Sequence, residues 1–351
     1  AVKEKQPKDD QKDAIVKENT EPETLPKVDV QEAKPKKEGW YQENYHWRFY
    51  QDDQPAVNWK QIQGKWYYFD QHGNRLHSTI YKGYAFDQDG VMIENSWTKW
   101  ENQWYYAAPS GRLTQNAWKK INGSWYYFDQ TGIMLSNTAV DGYLLTKSGA
   151  MAEKGWTKLD QIWYYIAPSG KILQDKWEKI NGFWYYFDKD GGMLSATTFK
   201  GYLFNQSGAM AENNWVKIKD TWFYANGSGR YVQENWQKIQ GSWYSFDQNG
   251  GMLADKWKGS YYLKTSGAMA EKEWIFDKFY KSWFYLKANG HYANQEWIGA
   301  YYLKSGGYMA KSEWIDDGQD KGRYYLDENG RYVTGTHKIS GKDHLFQKDG
   351  K

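Results

Sequence analysis

The chain has 351 residues and carries 22 Trp, 31 Tyr and 14 Phe, 67 aromatic rings in all, against only 42 Leu, Ile and Val together. With a net charge of only +3 the low aliphatic content does not amount to disorder, and the interspersed signs leave no basic patch for nucleic acid. The Val/Ile/Leu runs of a buried parallel sheet and any apolar stretch able to span a bilayer are missing. There is no Cys, and six scattered His form no two-His metal motif, so an ordinary α/β enzyme, a membrane span, disulfides and zinc-thiolate sites are excluded. Apolar burial is therefore expected to come from aromatic rings.

Residues 1–38 have no aromatics, four of the seven prolines (Pro7, Pro22, Pro26 and Pro35), nine Lys and ten Asp or Glu. This composition reads as a disordered, charged N-terminal tail or linker, of the kind left at a mature N-terminus after a signal peptide is removed.

From Gly39 to Lys351 the chain repeats. The segments Trp66-Tyr67-Tyr68-Phe69, Trp125-Tyr126-Tyr127-Phe128, Trp184-Tyr185-Tyr186-Phe187 and Trp243-Tyr244-Ser245-Phe246 stand 59 residues apart. Trp59, Trp118, Trp177 and Trp236 keep the same step, as do Trp97, Trp156, Trp215 and Trp274. Inside each 59-residue unit lie three shorter pieces. Each has an upstream Trp, a short polar link such as Asn122-Gly123, an aromatic strand, and an Asp-x-x-Gly turn such as Asp129 to Gly132. Alternating aromatic strands around such turns predict β-hairpins. A lone hairpin is marginal in water, so about fifteen of them can persist only by stacking. The expected fold is all-β, a repeat solenoid of stacked β-hairpins.

The third piece of each unit loses both Trp positions but keeps the first Tyr, as in Gly83-Tyr84, Gly142-Tyr143 and Gly201-Tyr202. Since these pieces are expected to fold without the Trp pair, the pair is not needed for stacking and is free for another task. Trp257 and Trp297 lead two short pieces that keep only the upstream Trp, and the ends around Trp40, Trp47 and Gly335 to Lys351 are degenerate and read as caps.

Two indoles and a phenol from neighbouring repeats can form a box with electron-rich faces turned inward. Such a box suits a quaternary ammonium, which has no N–H to donate; each well-placed ring contributes about 0.5–2 kcal/mol. The competing structural reading, in which a strand Trp is simply core, applies most strongly to the second Tyr of each triplet, which alternates faces with its neighbours.

The run Trp118-Lys119-Lys120-Ile121-Asn122-Gly123-Ser124-Trp125-Tyr126-Tyr127-Phe128-Asp129 with Gly132 and Met134, and Gly155-Trp156-Thr157-Lys158 leading to Trp163-Tyr164-Tyr165, resemble the choline-binding repeats of pneumococcal-type surface proteins. Similar repeats occur in the glucan-binding regions of streptococcal glucosyltransferases and in clostridial toxins. The resemblance covers residues 39–351. It implies a β-hairpin superhelix that docks on phosphocholine of teichoic acids in a Gram-positive wall, with cages made of two Trp from one repeat and a Tyr from the next. Carried onto this chain, the first series is Trp59 and Trp66 with Tyr84, Trp118 and Trp125 with Tyr143, Trp177 and Trp184 with Tyr202, and Trp236 and Trp243 with Tyr261. Met134, Met193 and Met252, which follow the strand Trp in three of these pieces, are taken as thioether walls. A second series is Trp97 and Trp104 with Tyr126, Trp156 and Trp163 with Tyr185, and Trp215 and Trp222 with Tyr244. It departs from the pattern where Ala107-Ala108-Pro109-Ser110-Gly111 and Ile166-Ala167-Pro168-Ser169-Gly170 replace the usual turn and no Met follows. Trp274 and Trp283, nine apart instead of seven, would pair with Tyr301 in a weaker cage.

No catalytic residue, cofactor or metal is expected, because the tail and the repeats leave no room for an enzyme domain. The leading reading is a non-catalytic, secreted protein held noncovalently on the bacterial surface by choline or phosphocholine of teichoic and lipoteichoic acids, competing with or modulating choline-binding cell-wall hydrolases. The absence of a Leu-Pro-x-Thr-Gly sorting signal agrees with noncovalent attachment. The rival readings are an α-glucan-binding module, whose rings would stack on sugar faces, and an adhesin or scaffold that binds host proteins or hydrolases.

Overall fold

The computed structural model describes residues 34–318 and 322–351, so the greater part of the charged tail, residues 1–33, lies outside the described residues. The described residues contain 33 strands and no helix, hence no helix long and apolar enough to cross a membrane. The strands form sixteen separate sheets, fifteen antiparallel pairs and one three-stranded sheet that opens at Gly39. The fold is all-β, built from repeated β-hairpins. The chain divides into two compact units, Ala1–Gln115 with Gln130–Ile133, and Asn116–Asp129 with Met134–Lys351.

Two hairpin types recur. In the longer type Ala117–Ile121 pairs with Ser124–Phe128 through the two-residue turn Asn122-Gly123. Both turn residues have positive φ, 49° and 91°, the mirror-image turn that matches strand twist and that Asn-Gly adopts readily. In the shorter type Thr138–Val140 pairs with Tyr143–Leu145 around Asp141-Gly142.

The register explains the seven-residue Trp spacing. Trp118 lies opposite Tyr127 and Lys120 opposite Trp125. Directly opposed residues share a face and so do residues two apart, which puts Trp118, Lys120, Trp125 and Tyr127 on one face and Tyr126 and Phe128 on the other. Each long hairpin thus shows a Trp face and a Tyr/Phe face, and within each unit the Trp face of one hairpin meets the opposite face of the next. Trp156 contacts Tyr185 and Phe187 at ring-centroid distances of 5.0 and 5.9 Å.

The segment leaving each hairpin ties this stack together. The Met193 amide donates to the carbonyl of Trp163 and the Met210 amide to that of Trp184, each one hairpin upstream.

The core bears out the expected burial of aromatic rings only in part, because phenylalanine shares it with aliphatic side chains. The largest fully buried side chains are Phe69, Phe128, Phe187, Phe204 and Phe246 together with Leu144, Leu145, Ile166, Leu203, Leu263, Leu286 and Leu303. Most of these close the second strand of a hairpin, facing the preceding one. Trp184, by contrast, stays 40 % exposed while Phe187 on the same strand is fully buried. The few aliphatic residues are thus concentrated at the stacking positions, and the strand tryptophans are left facing solvent on one side.

Candidate functional site

The exposed Trp faces form boxes. Trp177 sits edge-on to Trp184 at 6.5 Å and 86° and to Tyr202 at 4.9 Å and 72°, so both neighbouring rings stand steeply to its plane. With Met210 and Ser228 they line a cavity of about 380 Å³. Corresponding cavities are lined by Trp118, Trp125, Tyr143, Met151 and Ser169 (about 350 Å³) and by Trp236, Trp243, Tyr261, Met269 and Asn289 (about 310 Å³). A fourth, of about 290 Å³, is lined by Trp274, Trp283, Tyr301, Met309 and Asn329. None of these linings contains a carboxylate. The first unit holds Trp59, Trp66 and Tyr84 in the same arrangement, 6.3 and 4.8 Å apart.

Three consecutive hairpins supply each box. The first gives both Trp, the second gives the Tyr, the segment after it gives the Met, and the turn of the third gives Ser or Asn. Gly229, beside Ser228, has φ +81°, and a Cβ there would stand 2.4 Å from the Met210 sulfur. Glycine is therefore required for the thioether to lie across the turn.

Several expectations are corrected. Met134, Met193 and Met252 do not line the cavities of the tryptophans they follow in sequence, because the exit segment returns to the preceding hairpin. The Met193 amide donates to the Trp163 carbonyl and the Met252 amide to the Trp222 carbonyl. Met134 bridges Phe128 of its own hairpin and reaches Gly149. The second series accordingly does not lack a thioether. Trp156 stands 6.3 Å from Trp163 and 5.0 Å from Tyr185, and Trp215 stands 6.5 Å from Trp222 and 4.9 Å from Tyr244. Trp97 and Trp104 lie 6.2 Å apart in the first unit, whereas Tyr126 belongs to the second. The nine-residue spacing of Trp274 and Trp283 does not disrupt their box. Both extra residues go into the turn, and Phe276 lies opposite Trp283 just as Lys179 lies opposite Trp184.

The residues missed by sequence reasoning are Met151, Met210, Met269 and Met309 with their polar partners Ser169, Ser228, Asn289 and Asn329. A signal was present: Trp125 to Met151, Trp184 to Met210 and Trp243 to Met269 are each separated by 26 residues.

The degenerate N-terminal hairpin also makes a box, and the chain fills it itself. Trp40 is edge-on to Trp47 at 6.4 Å and to Tyr67 at 5.1 Å. Arg75 takes the Met position: its amide donates to the Trp47 carbonyl, and its guanidinium carbon lies 5.7 Å from the Trp40 ring. The Arg75 Nε is buried without a hydrogen-bond partner among the described residues, and this burial lowers the pKa of the group.

Comparison with known proteins agrees with this architecture. A model described as a choline-binding repeat matches residues 251–292 and 291–332. A cell wall binding repeat model matches 58–74, 95–113, 116–134, 154–172, 175–193, 213–231 and 235–252. Between them they take up more than half of the chain. A comparison with curated protein sequences finds no match. Among solved structures, the chain is similar to the modular autolysin LytC from Streptococcus pneumoniae in complex with a synthetic peptidoglycan ligand, with 28 % identity over 65 % of this chain and 51 % of that one and a TM-score of 0.41. It thus spans about half the length of that autolysin. It is also similar to the choline-binding domain of CbpL from the same organism (29 % identity, 63 % and 97 % covered, TM-score 0.31). For choline-binding protein F, again from S. pneumoniae, the figures are 25 % identity, 84 % and 98 % covered and a TM-score of 0.23. On its repeats, the chain belongs to the family of choline-binding repeat proteins.

Proposed function

We propose that residues 39–351 form a non-catalytic wall-binding module whose aromatic boxes each take the quaternary ammonium of a choline, attaching the protein noncovalently to the phosphocholine of teichoic and lipoteichoic acids. The observation that carries this reading is the lining common to four cavities: two Trp, a Tyr, a Met and one small polar residue, with no carboxylate. A primary amine or a metal ion would call for acceptors. A quaternary ammonium calls for ring faces, and three of them at about 0.5–2 kcal/mol each suit a millimolar site, about −4 kcal/mol.

Several weak sites on one chain facing a polymer that presents many cholines retain the protein through high effective concentration. A secreted protein held this way competes with choline-binding hydrolases for the same polymer and so restrains them. Elution from a tertiary-amine resin tests the ligand: free choline should release the protein and dextran should not. Release by dextran alone would transfer the boxes to an α-glucan.

A further inference from the structure

The boxes differ at one position. In the turns that supply Ser169 and Ser228, a glycine leads on to a basic side chain, giving Ser169-Gly170-Lys171 and Ser228-Gly229-Arg230; in the first unit Ser110-Gly111-Arg112 is the counterpart. Each basic group lies against the tyrosine that closes its box. The Arg230 guanidinium carbon is 4.3 Å from the Tyr202 ring, that of Arg112 is 5.2 Å from Tyr84, and the Lys171 ammonium is 5.5 Å from Tyr143. Backbone bridges join Tyr84 to Arg112 and Tyr202 to Arg230, and Arg230 Nη1 donates to the Lys200 carbonyl at 3.2 Å, so these positions are built in. In the box closed by Tyr261 the same place is held by His291, whose Nε2 is 2.8 Å from the tyrosine hydroxyl.

In the other series the place is neutral. Met193 lies over Gly208 as Met210 lies over Gly229, so Ala209 stands where Arg230 does; Met252 over Gly267 likewise assigns the place to Ala268. The lysine opposite the strand Trp occurs in both series, 5.8 Å from Trp184 and 5.7 Å from Trp163, and so does not separate them.

We infer that the boxes closed by Tyr84, Tyr143 and Tyr202 recognise a zwitterion, a quaternary ammonium carrying an attached phosphate, whereas those closed by Tyr185 and Tyr244 recognise the ammonium alone. A fixed cation one ring away repels a bare ammonium and attracts the phosphate next to it, shifting the preference without touching the cage. This rests on the proposed function and assigns Arg112, Lys171 and Arg230 the role of specificity residues within it.

The test compares calorimetric titrations of the full chain and of the triple variant Arg112→Ala, Lys171→Ala, Arg230→Ala with phosphocholine and with choline chloride at matched ionic strength. The variant should lose about threefold in phosphocholine affinity at these boxes, the effect of one screened charge at this range, while choline affinity holds or improves. Arg112→Lys with Arg230→Lys should keep the wild-type preference. Equal weakening of both ligands would show that the basic groups only brace the tyrosines, and an unchanged ratio would show no reading of the anion; either overturns the inference. Failure of the wild-type chain to bind either ligand would instead overturn the functional reading beneath it.

Discussion

Arg75 holds its guanidinium carbon 5.7 Å from the ring of Trp40, in the place that methionine takes in the boxes further along the chain. The first box therefore contains a cation of the protein's own, and one whose buried Nε has no hydrogen-bond partner among the described residues. Arg75→Met restores the thioether wall and removes the internal ligand. The stoichiometry of choline measured by calorimetry should rise by about one site, with a new quenching contribution from Trp47.

Redundancy shapes the response to cage mutations. Trp177→Ala with Trp184→Ala removes one box and should lower only slightly the choline concentration that elutes the protein from choline-bearing walls. Removing Trp118, Trp125, Trp236 and Trp243 as well should lower it steeply, because each further lost box reduces the effective concentration of those that remain.

Stability and binding should separate along a single strand. Phe187 is fully buried and Trp184 is 40 % exposed. Phe187→Ala should cost about 3–5 kcal/mol in urea unfolding of the repeat segment. Trp184→Ala should cost well under half of that while abolishing its box.

Gly229→Ala tests the link between turn and thioether. The added Cβ would meet the Met210 sulfur at 2.4 Å in a backbone with φ +81°. About 1–2 kcal/mol of destabilisation is expected from the backbone alone. Choline binding at the Trp177 box should weaken, and Met210→Ala in the same chain should relieve the clash without restoring the wall.

Among the later hairpins Lys264, Lys287 and Lys304 pair at 2.9 Å with Glu273, Glu296 and Glu313. Burial acts to raise the pKa of Glu296, but the Lys287 ammonium and the Asn294 amide outweigh it and hold the carboxyl below its ordinary value. A depressed folded pKa gives stability that is present above the unfolded pKa and lost as pH falls through the folded one. Acidification below the normal carboxylate range should therefore weaken this region, by no more than about 1 kcal/mol for a pair so open to solvent. Glu296→Gln should flatten that part of the unfolding profile.

The hairpins, their 59-residue phase and the Trp pairs were legible in the sequence because each depends on local information: alternation, a positive-φ turn dipeptide, and a register that sets Trp118 and Trp125 on one face. The methionines were assigned one hairpin too late. Their placement follows from hydrogen bonds such as Met210 to Trp184, which span 26 residues and have no local signature. Arg75 was hidden for the same reason. The spacing of Trp274 and Trp283 misled because counting residues ignores where an insertion goes; here it enlarges the turn and leaves the cross-strand pairs intact. The aromatic excess pointed to only part of the core, since Leu and Ile, few as they are, share the stacking positions with Phe while the strand tryptophans stay partly exposed.

Because one box takes its Trp pair, its Tyr and Met, and its Ser or Asn from three successive hairpins, no single repeat owns a site. A gene segment duplicated in frame at the 59-residue step would create new junctions and with them new boxes, each complete at birth. Deletion of a segment would remove boxes while rejoining the neighbours into a sound junction. The number of boxes is thus a heritable length variable, adjustable by recombination between repeats with no change to any side chain in a box.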